Sequence, residues 1–343
     1  MIEVREQFSL KEYNTFGVSA FAKAYIKATS LQQLKEAIGY CNGQDIFLLG
    51  GGSNMLIKNN IERTVVHVCL KGKEVLNNVK GKVSLKVMAG ENWHELVLYC
   101  IEQNYAGLEN LSLIPGNVGT APIQNIGAYG VELKDVFVSC DVLDTATLEE
   151  KTLTKQECKF GYRDSIFKNE ALGKYVITAV TFELTDLNST DDYQLKTDYG
   201  AIKKELARLE GPVNIQKASQ AVINIRSSKL PDPKVIGNSG SFFKNPVIEK
   251  RLYDDLKSRF PDLPCYPLDD LHVKVPAGWL IDKSGLKGKR YGDAGVHDRQ
   301  ALVLVNHGNA TGEEILEVAH KVQKAVKKTF DINIEMEVNL IEG

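Results

Sequence analysis

Backbone amides in two glycine-rich segments are the groups whose spacing first suggests chemistry in this sequence. Residues 110–131 contain four glycines and two prolines but no Asp, Glu, Lys or Arg, although charged residues make up 25% of the chain. A second cluster, residues 50–54, follows the apolar run 46–49. Glycine lets backbone N–H groups approach a ligand closely, and successive N–H groups can form a nest for an anion. The two segments therefore predict a large phosphate-bearing cofactor that is held mainly by the backbone.

Other interpretations of these glycines can be compared by spacing. Glycine clusters also occur as ordinary turns, and the residues alone leave that alternative open. The cluster at 50–54 lacks G-x-G-x-x-G spacing and runs into strand-like residues 54–57, which argues against a Rossmann site. No G-x-x-x-x-G-K-[ST] motif of a P-loop occurs. Pro115 and Pro122 interrupt the neutral segment, so it does not read as a membrane span of about 20 apolar residues.

Local patterns predict the elements that must position these loops. Capping-box spacings at Ser30 and Thr311 and an N-cap at Asn92 predict three helix starts. Residues 332–340 alternate apolar and polar, which predicts a terminal strand. A break at residues 229–234 predicts a linker. The remaining predicted strands are 21–28, 46–49, 64–70, 83–89, 136–143 and 176–184, and the predicted helices are 30–40, 92–104, 197–209, 216–228, 249–259, a segment with 279–283, and one from Thr311.

Composition limits the class of protein. A chain of 343 residues with 43% apolar residues predicts a globular protein of two or three domains. A net charge of −2 argues against nucleic acid or an anionic membrane as the main partner. The first residues lack the apolar core of a signal peptide. Six cysteines without C-x-x-C spacing and six dispersed histidines predict buried free thiols in a reducing cytoplasm, with no disulfide frame and no metal site.

Six segments, in order over nearly the whole chain, together resemble the UDP-N-acetylenolpyruvoylglucosamine reductase family (UDP-N-acetylmuramate dehydrogenases). They are NTFG at 14–17, LGGGSN at 49–54, IPGNVGTAPIQNIGAYG at 114–130, GYRDS at 161–165, GSFFKNP at 240–246 and PAGWLI at 276–281. Each segment is modest alone, whereas the ordered set is specific.

The resemblance implies an α+β fold. A two-subdomain FAD-binding fold of the vanillyl-alcohol-oxidase/PCMH type would be joined to a C-terminal α+β substrate-binding domain. The implied boundaries are 1–71 together with the C-terminal strand 332–343 for the first FAD-binding subdomain, 72–228 for the second, and 229–331 for the substrate domain. Asp198-Tyr199-Gly200 resembles the tyrosine-bearing loop that closes on the substrate in the long type of the family.

The resemblance also implies an enzyme. Its reaction would be the NADPH-dependent, FAD-mediated reduction of the enolpyruvyl group of UDP-N-acetylglucosamine enolpyruvate to UDP-N-acetylmuramate, in peptidoglycan precursor synthesis. FAD would be non-covalent, since no motif indicates a His or Cys link to the flavin. The implied FAD-binding residues are Gly50, Gly51, Gly52, Ser53, Asn54, Pro115, Gly116, Gly119, Thr120, Gln124, Asn125, Gly127, Ala128 and Tyr129.

Three residues match the catalytic positions of that family. Ser241 would donate the proton, Arg163 would face the developing enolate, and Glu337 would complete the site. Glu335 lies on the same face of the predicted strand, roughly 6.5–7 Å from Glu337, so only one of the two would reach the substrate. The implied contacts to the UDP-sugar are Tyr199, Lys229 at the diphosphate, Asn245 and Gln300.

Two alternatives remain at this point. Another FAD enzyme on the same fold, such as an oxidase or dehydrogenase of a sugar or hydroxy acid, would use the same glycine loops with a different third domain. A non-catalytic nucleotide-binding module would be colourless when purified. For the reductase we expect a cytoplasmic monomer whose partner is the UDP-sugar substrate, with roles in cell wall biogenesis, cell shape and cell division.

Overall fold

The computed structural model describes residues 1–41 and 46–343. The α-helices are α1 Leu31–Cys41, α2 Trp93–Glu102, α3 Gly200–Leu206, α4 Ile215–Lys229, α5 Lys250–Arg259, α6 Ala277–Lys283 and α7 Gly312–Phe330. The strands are β1 Val4–Ser9, β2 Phe21–Ala28, β3 Ile46–Leu49, β4 Met55–Ile57, β5 Ile61–Val68, β6 Lys73–Val79, β7 Lys82–Met88, β8 Tyr105–Ala106, β9 Gly127–Ala128, β10 Val131–Glu132, β11 Phe137–Asp144, β12 Glu150–Thr154, β13 Tyr175–Asp186, β14 Val247–Glu249, β15 Tyr266–Pro267, β16 His272–Lys274, β17 Arg290–Tyr291, β18 Ala294–Val296, β19 Leu304–Asn306 and β20 Asn339–Ile341.

The chain divides into two compact units. The first contains residues 1–8, 22–51 and 62–228, and the second contains residues 9–21, 52–61 and 229–343. The C-terminal region therefore shares a unit with two short N-terminal segments. The division into three parts at 71 and 228 stays a prediction.

The first unit is built on a six-stranded antiparallel sheet. The strand order is β12-β11-β13-β7-β6, and β8 also pairs with β13. Strand β13 lies between two neighbours, and its residues 176–182 are all buried. Trp93 of α2 packs edge-on against Phe182 of β13, with ring centroids 6.0 Å apart. A second sheet has the order β1-β2-β5-β3, in which β3 runs parallel to β5 and leads directly into Gly50.

Side-chain caps fix where the predicted helices begin. Asn92 Oδ1 accepts a hydrogen bond from Glu95 N at 3.0 Å and starts α2. Thr311 and Glu314 form a reciprocal capping box at α7. These bonds satisfy N–H groups that the first helical turn leaves without partners. The helix starts predicted at Asn92 and Thr311 are confirmed.

The second unit packs three small sheets and α7 around one core. The sheets are β14-β16-β15, β17-β18-β19 and the parallel pair β4-β20. Helix α7 buries Ile315, Val318, Val322 and Val326 along one face. Phe242 and Phe243 lie in the same core, each about 1% exposed. The segment that carries Ser241 is therefore anchored by two buried aromatic rings.

The long terminal strand predicted at 332–340 is wrong for most of its length. Only Asn339–Ile341 forms a strand, and Met336 makes an isolated bridge to Phe243. Ile332, Ile334 and Val338 are nevertheless buried. The alternation of apolar and polar residues shows only that one face of this segment is buried. It does not require a continuous ladder of hydrogen bonds to a neighbouring strand.

Other differences have a similar origin. Strand β6 is exposed at every position, so it has no apolar alternation to detect, and β12 is nearly as exposed. The helix predicted at 197–209 is shorter in the structure, where α3 begins after Tyr199.

The mixed helix and strand content is that of the predicted α+β class. None of the helices in the described part of the chain has both the length and the apolar character needed to span a bilayer.

Candidate active site

The two glycine-rich segments pack against each other in the first unit. A Cβ atom added at Gly50 would lie 2.5 Å from Thr120 Cγ2, and one added at Gly51 would lie 2.8 Å from Gly116 Cα. Carbon atoms do not approach so closely without displacement of their neighbours. Glycine is therefore required for these two backbones to lie so close together. Two turns that did not contact each other would tolerate a side chain at these positions.

Backbone hydrogen bonds hold the long segment to the neighbouring chain. Gly119 N donates to Ala89 O at 2.9 Å, and Val118 N donates to Glu91 O at 2.9 Å. A Cβ at Gly119 would lie 2.5 Å from Ala89 Cβ. The main chain therefore contributes directly to holding this segment in place.

Asn125 shapes the end of this segment. It is fully buried, with a left-handed φ of 44°. Its Nδ2 donates to Glu132 Oε2 at 3.1 Å and to Gly161 O at 2.9 Å, and its Oδ1 accepts from Lys134 N at 3.0 Å. These bonds occupy its side chain, and its backbone is also engaged, since Asn125 N donates to Pro122 O at 3.4 Å and Asn125 O accepts from Arg163 Nη1 at 3.5 Å. Its predicted contact with FAD stays a prediction.

Arg163 is oriented by the same segment. Its Nη2 donates to Gly127 O at 2.6 Å and its Nη1 to Asn125 O at 3.5 Å. Its guanidinium carbon lies 5.6 Å from the Tyr162 ring centroid. Arg163 has φ of 54°, an uncommon conformation for a residue with a side chain. Such strain persists only where the surroundings hold it, and it is frequent at functional sites.

Two predicted site tyrosines meet in the first unit. The rings of Tyr129 and Tyr199 contact edge to face, with centroids 5.4 Å apart and an interplanar angle of 89°. Burial raises the pKa of the Tyr129 hydroxyl, against the opposing effect of a hydrogen bond from Arg226. Burial lowers the pKa of Arg226, whose Nε donates to Leu113 O at 3.2 Å. One FAD-set residue and one substrate-set residue are thus in direct contact.

The segments that carry Ser241 and Glu337 pair with each other in the second unit. Glu337 N donates to Phe242 O at 2.8 Å, and Lys244 N donates to Glu335 O at 2.9 Å. These two bonds and the bridge between Phe243 and Met336 place residues 242–244 opposite residues 335–337, so the segment that carries Ser241 runs beside the segment that carries Glu337. In the part of the chain that the structure describes, the Ser241 hydroxyl makes no hydrogen bond, which leaves it available to a ligand.

The two candidate carboxylates differ in their partners. Glu335 Oε2 lies 3.1 Å from Lys244 Nζ, and its side chain is 76% exposed. Glu337 is half-buried, and its carbonyl oxygen accepts from Asn54 Nδ2 at 3.3 Å. Glu335 is therefore an exposed residue in an ion pair, and the catalytic role of Glu337 stays a prediction. Asn54 links the end of the first glycine cluster to that residue.

Two predicted substrate contacts converge on the first turn of α6. Asn245 Oδ1 accepts from Ala277 N at 2.9 Å. Gln300 Oε1 would lie only 3.1 Å from a Cβ placed at Gly278. Gly278 thus lets the Gln300 side chain lie against the helix. Lys229, the last residue of α4, is exposed.

The remaining glycine-cluster residues belong to the second unit. Gly52 has φ of 62°, and a Cβ there would lie 2.0 Å from Tyr13 O. Thr15 N donates to Gly52 O at 3.0 Å. The NTFG segment therefore supports the glycine turn directly. Across residues 1–41 and 46–343, no group of His, Cys, Asp and Glu side chains could hold a metal ion.

Comparisons with known proteins identify the family. A profile described as the C-terminal domain of UDP-N-acetylenolpyruvoylglucosamine reductase matches residues 232–341, and one for an FAD binding domain matches residues 22–149. The UDP-N-acetylenolpyruvoylglucosamine reductase of Flavobacterium johnsoniae is 52% identical over 342 residues, covering 99% of this chain and 100% of that protein. The chain belongs to the UDP-N-acetylenolpyruvoylglucosamine reductase family. The protein of that name from Amoebophilus asiaticus is 44% identical over 344 residues, covering 99% and 100% of the two chains.

A solved structure supports the fold assignment. The UDP-N-acetylenolpyruvylglucosamine reductase of Thermus caldophilus matches with a TM-score of 0.67 at 24% identity, covering 99% of this chain and 98% of that one. The family resemblance found in the six motifs is confirmed, as is the α+β fold of the reductase family. The match to an FAD-binding domain profile agrees with the glycine-lined backbone surface, on which added side chains would clash.

Sequence reasoning missed three polar residues of this region of the first unit. Arg226 contacts Tyr129, and Glu109 and Asn110 are almost completely buried. A signal was available for Glu109, which stands beside Leu108 and is the one charged residue between positions 103 and 131. A charged residue in such surroundings is more often paired and buried than free.

Proposed function

We propose that this chain catalyses the NADPH-dependent reduction of the enolpyruvyl group of UDP-N-acetylglucosamine enolpyruvate to UDP-N-acetylmuramate. Full-length similarity to reductases of that name supports the proposal. The structural observation that carries it is the pairing of the Ser241 segment with Glu337, through Glu337 N and Phe242 O at 2.8 Å. A reduction that ends with protonation of carbon needs a placed proton donor, whereas an alcohol oxidase needs a base.

FAD, when bound, supplies hydride transfer from NADPH to the substrate. The backbones of residues 50–54 and 115–129 would hold it, because their glycines let the main chain approach a ligand closely and no charged side chain competes. Side chains of Thr120, Gln124 and Tyr129 complete the proposed set. NADPH as the reductant is part of the proposal.

The three proposed catalytic residues supply charge and a proton. Hydride addition to the vinyl ether leaves an enolate conjugated with the carboxylate, and that charge must be stabilised. Arg163 carries a permanent charge in a planar fork that suits a carboxylate, and its position is fixed by two backbone carbonyls. Ser241 holds the proton for the adjacent carbon, and Glu337 completes the site.

The nucleotide part of the substrate would be held by a separate set of residues. Lys229 is proposed to bind the diphosphate, as an exposed ammonium group suits that charge. Asn245 and Gln300 are proposed UDP-sugar contacts, and their convergence at the start of α6 supports a common role. Tyr199 is proposed to close on the sugar nucleotide from its position beside Tyr129.

The cellular setting is also a proposal. We place the protein in the cytoplasm as a monomer that serves peptidoglycan precursor synthesis, and through it cell wall biogenesis, cell shape and division. The three-part division at residues 71 and 228 belongs to the same proposal. Its partner would be the UDP-sugar, and neither nucleic acid nor a membrane is required.

Anaerobic mixing of the purified protein tests this function. The protein should be yellow, release intact FAD on denaturation, lose flavin absorbance with NADPH and regain it when the enolpyruvyl sugar nucleotide is added. A reduced protein that is reoxidised rapidly by air and not by that substrate would favour an oxidase of a sugar or hydroxy acid. A purified protein without colour would exclude both flavin enzymes and favour a non-catalytic nucleotide-binding module.

A further inference from the structure

Two buried polar residues lie beneath the segment that carries Tyr199. Glu109 and Asn110 form one short helical turn, Glu109–Leu111, and are 2% and 1% exposed. Neither residue belongs to the proposed cofactor, substrate or catalytic sets. Most buried polar groups are paired, and the partners of the Glu109 carboxyl group and the Asn110 amide nitrogen show what these residues hold in place; among the described residues Asn110 Oδ1 has no partner.

Glu109 holds Tyr193. Its Oε2 accepts from Gly107 N at 2.7 Å, and its Oε1 accepts a short hydrogen bond from the Tyr193 hydroxyl. Burial, followed by the charge of Glu109, raises the pKa of Tyr193, and a tyrosine hydroxyl is protonated at neutral pH even without that shift. No Lys, Arg or His of the described chain forms an ion pair with Glu109. A buried carboxylate without a cation depends on such donors, so this bond is costly to lose.

Asn110 holds two backbone positions with one amide group. Its Nδ2 donates to Lys196 O at 2.8 Å and to Tyr129 O at 3.1 Å. Lys196 lies three residues before Tyr199, and the Tyr199 ring contacts the Tyr129 ring. The Asn110 side chain therefore supports both Tyr129, a predicted FAD contact, and the segment that carries Tyr199, a predicted substrate contact. Lys196 is further tied by its Nζ, 3.1 Å from Asp135 Oδ2.

We infer that Glu109 and Asn110 are positioning residues of the reductase, which hold segment 187–199 so that Tyr199 stands beside Tyr129 before the substrate binds. The inference rests on the proposed contact of Tyr199 with the UDP-sugar. A segment that is already ordered loses less conformational freedom on binding, which strengthens binding without any added contact. Loss of the support should therefore raise KM for the UDP-sugar with little change in kcat.

A double-mutant cycle tests the inference in the complete FAD-loaded enzyme. Tyr193→Phe, Tyr199→Phe and the double variant are compared for KM, kcat and the midpoint of thermal FAD release. Tyr193→Phe should raise KM for the enolpyruvyl substrate about 10–150-fold, the range expected for one lost hydrogen bond to a charged group. In the Tyr199→Phe background the same change should raise KM by less than about twofold, because its effect acts through Tyr199.

Matched controls separate positioning from general destabilisation. Tyr253→Phe removes a similar hydroxyl bond, to Leu263 O at 3.2 Å, in the second unit and should leave KM unchanged. Glu109→Gln keeps an acceptor for the Tyr193 hydroxyl, so it should raise KM less than Glu109→Ala does.

The outcomes are distinguishable. Equal KM effects of Tyr193→Phe in both backgrounds, or a wild-type KM in Tyr193→Phe, would overturn the inference while the reductase activity stands. An unchanged KM in Tyr199→Phe would also overturn the inference, because it would show that the Tyr199 hydroxyl does not contribute to substrate binding. A wild-type protein that fails to reduce the enolpyruvyl substrate would instead overturn the proposed function.

Discussion

Gly51→Ala tests whether the glycine-lined backbone binds the flavin. The new methyl group would lie 2.8 Å from Gly116 Cα and 3.0 Å from both Gly116 C and Asn117 Oδ1. Ordinary carbon contacts are about 3.5–4.0 Å, so the two segments must separate by roughly 0.7 Å or more. Overpacking of this kind costs about 1–3 kcal/mol. If that cost falls on the bound form, FAD affinity decreases about 5–150-fold.

Titration of apoprotein with FAD, followed by flavin fluorescence, measures this loss directly. Gly39→Ala is a matched control, since its Cβ meets nothing within 4 Å and Gly39 lies inside α1. That control should bind FAD normally and gain up to about 1 kcal/mol of stability from helix propensity. Wild-type FAD affinity in Gly51→Ala would refute the reasoning from close backbone contact.

Three further predictions concern the substrate, pH and thiols. Lys229→Ala should weaken UDP-sugar binding about 10–150-fold at unchanged FAD content, and wild-type affinity would remove Lys229 from the site. Burial, followed by the charge of Lys27, lowers the pKa of His67 to about 4 in the folded protein. The contribution of His67 to the free energy of unfolding is therefore complete above its unfolded pKa near 6.5, and it is lost as the pH falls to about 4. Thermal unfolding should therefore depend less on pH across that window in His67→Gln than in the wild type; equal slopes would contradict this. Hydrogen bonding to Cys158 and burial raise the pKa of the Cys140 thiol. Burial also raises the pKa of Cys69. A thiol reagent should therefore label the native protein rapidly only at half-exposed Cys265, and fast labelling of Cys140 would contradict this.

Local features of the fold could be predicted because short-range chemistry determines them. The caps at Asn92 and Thr311 and the strand ending at Leu49 follow from residues within a few positions of each other. Strand β6 could not be predicted, since its side chains are exposed on both faces and carry no periodic signal. The terminal strand was overpredicted because alternate burial at Ile334 and Val338 does not specify a ladder.

The site could be predicted only in part. Neutral glycine segments pointed to a cofactor held by the backbone, and this followed from the residues themselves. The roles of Ser241 and Glu337 came from family resemblance, because the hydrogen bond from Glu337 N to Phe242 O joins positions far apart in the sequence. Glu109 and Asn110 were missed because their partners, Tyr193 and Lys196, are also distant. No local pattern encodes such pairs.

Anaerobic stopped flow with Ser241→Ala tests the central claim most directly. The hydroxyl is not needed for reduction by NADPH, so that half-reaction should stay within a few-fold of wild type. The second half-reaction needs a proton at carbon, and general-acid catalysis contributes about 10²–10⁴-fold. Recovery of flavin absorbance with the enolpyruvyl sugar nucleotide should therefore slow at least about 100-fold. Recovery at the wild-type rate would contradict the assignment of Ser241 as the proton donor.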